Sequence, residues 1–69
     1  MRLSIRNQLP GTVTSVDQGG VLSVVKVELD GGQKVTASIT NDAVADLGIA
    51  PGSKVTVLVK STEVSLAVE

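Results

Sequence analysis

The sequence predicts an all-β fold, five strands curled into a small barrel with one short helix between the third and fourth. Three observations carry this. Val supplies 13 of the 69 positions, and Ser and Thr together supply another 13, so residues favoured on a pleated surface are abundant. Turn formers recur at Pro10–Gly11, Gly19–Gly20, Asp30–Gly31–Gly32, Gly48 and Pro51–Gly52. Between these marks apolar and polar residues alternate, the period of a strand with one buried face.

Taken in order, Arg2 to Gln8 reads as an extended arm, and Thr12-Val13-Thr14-Ser15-Val16 starts the first strand. Val21 to Leu29 forms a longer strand in which Val25, Val27 and Leu29 alternate with Lys26 and Glu28. Asp30-Gly31-Gly32-Gln33 is a hairpin turn, because glycine adopts positive φ without a steric cost. Val35, Ala37 and Ile39 alternate with Thr36, Ser38 and Thr40 on the return strand. The period then changes. Thr40 or Asn41 caps a helix of about two turns, Asp42 suits its first turn, and Gly48 closes it. Pro51–Gly52 leads into Val55-Thr56-Val57-Leu58-Val59, and a break at Ser61–Thr62 precedes a last strand through Val64, Leu66 and Val68. Five strands with a helix between the third and fourth match the Greek-key barrel called the OB-fold. An SH3-like barrel is the alternative, although it more often lacks that helix. Residues 1–69 form a single domain, since domains usually run to ~100–200 residues.

Composition narrows the function. The chain has no Cys and no His, so it lacks the usual zinc ligands, the thiol nucleophile and the commonest general base. An enzyme is not expected. It has no aromatic residue, and single-strand nucleic-acid binding relies on rings that stack on bases. Six basic and seven acidic residues give a net charge of −1, with no basic stripe to follow a phosphate backbone. No apolar run approaches the ~20 residues of a membrane span, and the N-terminus lacks the apolar region of a signal peptide. A cytoplasmic protein with neither nucleic-acid nor membrane partner is the expectation. Stability sets a further bound, because a chain below ~70–80 residues rarely gains more than ~3–5 kcal/mol from one core. This one is 42% apolar, with a mean hydropathy of +0.34, and cannot be stapled by disulfides or zinc. Self-association that buries Val-rich faces is the remaining route.

Three clusters combine hydroxyls or amides with a cation or with one another. In the arm Ser4-Ile5-Arg6-Asn7-Gln8, Ser4 and Arg6 share one face and Ile5 the other. A hydroxyl and a five-donor guanidinium suit an anion with several acceptor oxygens. On spacing alone, a solvated edge with an incidental Arg is the plainer reading. Lys60-Ser61-Thr62 could form an anion nest at a turn, or be only a polar turn. The hydroxyls of Thr36, Ser38 and Thr40 read first as a solvent face. Asp42 and Asp46 lie one helical turn apart, but without a third acid or a His they do not make a metal site. Gly19–Gly20 is not followed by the helix and G-K-[ST] of a phosphate loop.

The strings Ser4-Ile5-Arg6-Asn7-Gln8-Leu9-Pro10-Gly11 and Lys60-Ser61-Thr62-Glu63-Val64 together resemble the Mop family, the molbindins. These are small molybdate-binding domains, also found in molybdate-responsive regulators and transporter ATPases. The resemblance spans nearly the whole chain. It implies an OB-fold subunit in a homo-hexamer, a trimer of dimers, that stores or buffers molybdate, and tungstate equally, at subunit interfaces. By position it implies that Ser4, Arg6 and the Ile5 amide contact one molybdate, with Lys60 and Ser61 completing the site and Thr40 reaching it from a neighbouring chain. Asn7 and Thr62 would brace the pocket, and the Gly20–Val21 amides are the candidate for a second anion site. The sequence departs from the family pattern at Ile5, usually Ala, and at Ala43, often Ser at the helix start. A non-catalytic oligomerisation domain or an OB-type nucleic-acid module are the competing functions.

The lack of His has a direct consequence, because His is the side chain whose ordinary titration falls between pH 5 and 8. Oxyanion affinity measured by calorimetry is expected to be nearly flat from pH 6 to pH 8. A change of about tenfold across that range would contradict a site built from Arg6 and Lys60.

Overall fold

A computed structural model describes all 69 residues. Strand β1 covers Asn7–Gln18, β2 Leu22–Leu29, β3 Lys34–Thr40 and β4 Lys54–Val59, with helix α1 at Asn41–Leu47. They form one antiparallel sheet in the order β3-β2-β1-β4. A 3₁₀ turn at Ser61–Glu63 follows β4.

The mostly-β class and the helix between β3 and β4 agree with the sequence. The strand count differs, with four strands paired where five were expected. Residues Val64 to Glu69 join no ladder within their own chain. Alternation at Val64, Leu66 and Val68 signals a strand-forming segment, but it does not say which edge that segment pairs with.

The first strand is also longer than its turn residues suggest, running straight through Pro10 and Gly11. Proline is tolerated because the β1–β2 ladder ends at Gly11↔Leu29, so Pro10 is paired only with Thr56 of β4. Its carbonyl is still used, accepting from the Asp30 amide at 3.0 Å. Gly11 is buried and faces partners on both sides, Leu29 and Val55. A bulge between Val13 and Ser15 shifts the register on β2 and bends the strand, which curls the sheet.

Local chemistry sets the turns. Gly32 takes φ 98° in the β2–β3 hairpin, and its amide donates to Leu29 O at 2.8 Å. Thr40 caps α1 by accepting from the Ala43 amide at 3.1 Å. Gly48 closes the helix at φ 63°, in the left-handed region that glycine favours.

The fully buried apolar core is three valines, Val13, Val25 and Val27, with Val16, Leu29, Ile39, Val44, Ile49, Val55 and Val57 packed around it. Close packing has one sharp point. A Cβ on Gly11 would lie 2.7 Å from Glu28 O and 2.8 Å from Val27 Cγ1. Gly11→Ala is therefore expected to cost about 1–3 kcal/mol through overpacking, read as a lowered denaturation midpoint by far-UV circular dichroism. Gly20→Ala has open space around its Cβ and should change stability by less than about 0.5 kcal/mol.

Candidate functional site

The β1–β4 pairing brings together the two strings that stand at opposite ends of the sequence. Its register runs from Thr12↔Lys54 to Asn7↔Val59, and just past its end Arg6 and Lys60 line one pocket. The Asn7 side-chain amide locks this end by donating to Val59 O at 3.0 Å. Gln8 Nε2 donates to Ile5 O at 2.8 Å, which fixes the arm where it enters the sheet.

The result is a pocket of about 240 Å³ lined by Ser4, Ile5, Arg6, Lys60, Ser61 and Thr62. Five of these residues are exposed and Ile5 is half-buried. Lys60 precedes the 3₁₀ turn, whose internal bonds run from Glu63 N to Lys60 O and from Val64 N to Ser61 O. The leading amides of such a turn, those of Ser61 and Thr62, have no acceptor within it. The pocket thus offers two cations, three hydroxyls and backbone donors, and no acidic side chain lines it. Two like charges at one pocket repel, and a multivalent anion between them turns that repulsion into attraction.

Thr40, Gly20 and Val21 lie elsewhere. They line a second pocket of about 310 Å³ with Asn41 and Asp42. The Thr40 hydroxyl is engaged as the helix cap, and within one chain it is not part of the Arg6–Lys60 pocket. Asp42 places a carboxylate in that second pocket, which opposes an anion there unless further positive charge is brought to it.

Sequence reasoning overlooked the residue that shapes this region. Ser23, only 1% exposed, donates to Asn41 Oδ1 at 2.6 Å. The Asn41 side chain donates to Gly19 O at 3.1 Å, and its backbone amide donates to Val21 O at 2.8 Å. The Gly19–Val21 loop is thereby tied to the start of α1. The signal was present: Ser23 shares the buried face of β2 with Val25 and Val27, and a polar residue in such a row requires a partner.

Comparison with known proteins gives a consistent result. The TOBE domain family model matches residues 3–66. Molybdenum-pterin-binding protein 3 of Clostridium pasteurianum is 44% identical over 66 residues, covering 96% of this chain and 97% of its own length. The structure of a molybdate-binding protein from Sporomusa ovata superposes with a TM-score of 0.92 at 42% identity, covering 97% of this chain and 98% of that one. The cytoplasmic molybdate-binding protein ModG, solved with molybdate bound, gives a TM-score of 0.87 at 40% identity over 91% of this chain and 45% of its own.

The capping role of Thr40 is separable from any contact with a ligand. Thr40→Ala is expected to lower stability by about 1 kcal/mol in chemical denaturation, and Thr40→Ser to restore most of that loss, because its hydroxyl caps the helix equally well.

Proposed function

Since the chain belongs to the TOBE domain family, among its molybdenum-pterin-binding (Mop) members, we infer that it binds molybdate and serves in its storage and homeostasis in the cell. The observation that carries this is the pocket at the end of the β1–β4 ladder, which Arg6 and Lys60 share without any acidic lining. In this reading Ser4, Arg6 and the Ile5 amide hold one side of the oxyanion, and Lys60 and Ser61 hold the other. Asn7 and Thr62 brace the two ends. The work in this reading is binding without catalysis, in keeping with relatives that are molybdenum-pterin-binding and molybdate-binding proteins.

One chain alone leaves this pocket open to water. Desolvating a dianion costs several kcal/mol, to be recovered in charge-assisted hydrogen bonds, and those are stronger where water is excluded. A site completed at the interface of a homo-hexamer, with Thr40 supplied by a neighbour, meets that requirement. The Gly20–Val21 amides are the second candidate anion site, filled only if a neighbouring subunit offsets Asp42. Sulfate matches molybdate in charge and shape, so discrimination rests on size. Tungstate, nearly the same size, binds alike.

The alternative with an observation behind it is a purely structural oligomerisation domain, favoured by the large exposed apolar surface. The net charge of −1 and the lack of aromatic residues weigh against a nucleic-acid module. No helix is long and apolar enough to cross a membrane.

Calorimetric titration with molybdate in excess sulfate separates the two main readings. Saturation near one ion or more per subunit is expected. Arg6→Ala and Lys60→Ala should each weaken binding by roughly 10- to 100-fold, the equivalent of ~1.5–3 kcal/mol for a hydrogen bond to a charged group. Absence of heat with the oligomer intact would favour the structural reading.

A further inference from the structure

Ser23 and Asn41 form a polar pair that the pocket of Arg6 and Lys60 does not use. Ser23 is the polar side chain buried in the core, 1% exposed, on the β2 face that carries Val25 and Val27. Its hydroxyl donates to Asn41 Oδ1 at 2.6 Å, and a hydroxyl in such a place costs stability unless it is bonded. The bond also orients Asn41. With Oδ1 engaged by Ser23, the donor end of the amide is directed elsewhere.

That donor end holds the loop between β1 and β2. Asn41 Nδ2 donates to Gly19 O at 3.1 Å, and the Asn41 backbone amide donates to Val21 O at 2.8 Å. Gly19 N donates to Leu22 O at 2.8 Å, which closes a tight loop with Gly20 and Val21 at its tip. The return bond of a tight turn runs from the fourth residue's amide to the first residue's carbonyl. It is not made here, and Asn41 engages Gly19 O in its place. A Cβ on Gly19 would lie 2.7 Å from Leu22 O, whereas one on Gly20 meets nothing within 4 Å. The base of the loop is closely packed and its tip is open.

The consequence falls on the amides at the tip. A trans peptide sets its N–H opposite its C=O, so the bond to Gly19 O fixes the direction of the Gly20 N–H. The bond to Val21 O fixes the far side, and the Val21 N–H stands between the two. Neither amide has an acceptor within the chain. Both residues line the pocket of about 310 Å³ with Thr40, Asn41 and Asp42. Thr40 accepts from the Ala43 amide as helix cap, which leaves its hydroxyl proton to donate. Successive amides on a fixed frame suit an oxyanion. With Asp42 opposing an anion there, the aim of each donor counts for more than it does beside Arg6 and Lys60.

We propose that Asn41, oriented by Ser23, is the positioning residue of the second oxyanion pocket. It acts through the loop and not by contact with the ion, holding the Gly20 and Val21 amides where an oxyanion can use them. This rests on the reading of that pocket as an anion site.

The test is a calorimetric titration of the full-length chain with molybdate, followed in parallel by amide NMR. The unmodified protein is expected to show two classes of heat, with the Gly20 and Val21 resonances moving in the weaker one. The decisive variant is Ser23→Ala combined with Asn41→Leu, an apolar pair that leaves no buried polar group unbonded and so preserves stability. It is expected to keep its denaturation midpoint, its assembly and its first class of sites. In the second class it should lose roughly tenfold in affinity, the scale of one hydrogen bond. Asn41→Ala is the second variant, should the pair fold poorly, and the same selective loss is expected. Unchanged second-class affinity in a folded variant would overturn the positioning role and leave the pocket's reading standing. A single class of heat in the unmodified protein, or Gly20 and Val21 resonances that stay in place, overturns the pocket's reading and the proposal with it.

Discussion

The antiparallel pairing of β1 with β4 is the interaction on which the rest of the molecule depends. It brings the two ends of the sequence together, and the proposed anion pocket lies just past its last pair, Asn7↔Val59. A single side-chain bond, from Asn7 to Val59 O, secures the last pair before the pocket begins. Further along, Gly11 is what lets β1 serve two neighbours, since a side chain there would strike the backbone of β2. The pocket residues stand on an arm and a 3₁₀ turn that directly flank the paired ends of β1 and β4, and donors held in place lose little reorganisation energy when an anion arrives.

The second constraint is the size of the core. Three fully buried valines give a few kcal/mol of burial each at most, and conformational entropy opposes folding at every ordered residue. No ring or disulfide makes up the difference. A chain of this kind gains by burying its remaining apolar surface against copies of itself. In the proposed assembly the same association would exclude water from the exposed pocket of Arg6 and Lys60, so that one device would both stabilise the fold and strengthen the site. Stability and binding would then be linked through one interface.

The parts legible in the sequence are those set by local chemistry. The Asp30–Gln33 hairpin and the helix from its Thr40 cap to Gly48 follow from turn glycines and a capping hydroxyl, which act over four or five residues. The extent of β1 was not legible, because Pro10–Gly11 looks like a terminator until it is known that only one side of Pro10 is paired. The fifth strand shows the same limit, since alternation at Val64, Leu66 and Val68 describes a strand without naming its partner. For the site, Ser4–Arg6 and Lys60–Thr62 were each ambiguous alone. What unites them is a cross-strand register that no local spacing encodes, and only resemblance to a family joined them beforehand. Thr40 was offered both as cap and as ligand, and its hydroxyl caps its own helix. Ser23 was passed over because a lone serine in a row of valines looks like a tolerated substitution instead of a buried donor.

Selectivity at such a site depends on what is rigid and what is not. Charge does not separate molybdate from sulfate, because the two carry the same charge in the same shape. Lys60 has a long flexible stem and would follow a smaller anion inward, which by itself favours no particular size. The arm is different. Ile5 is half-buried and its carbonyl accepts from Gln8, which ties the arm carrying Ser4 and Arg6 to the start of β1. An anion too small to span the pocket leaves donors unsatisfied on one side, and an unmade hydrogen bond to a charged group costs more than an ordinary one contributes. In the proposed site size discrimination would then come from the gap between the arm and the turn that follows β4, which Ile5 helps to line.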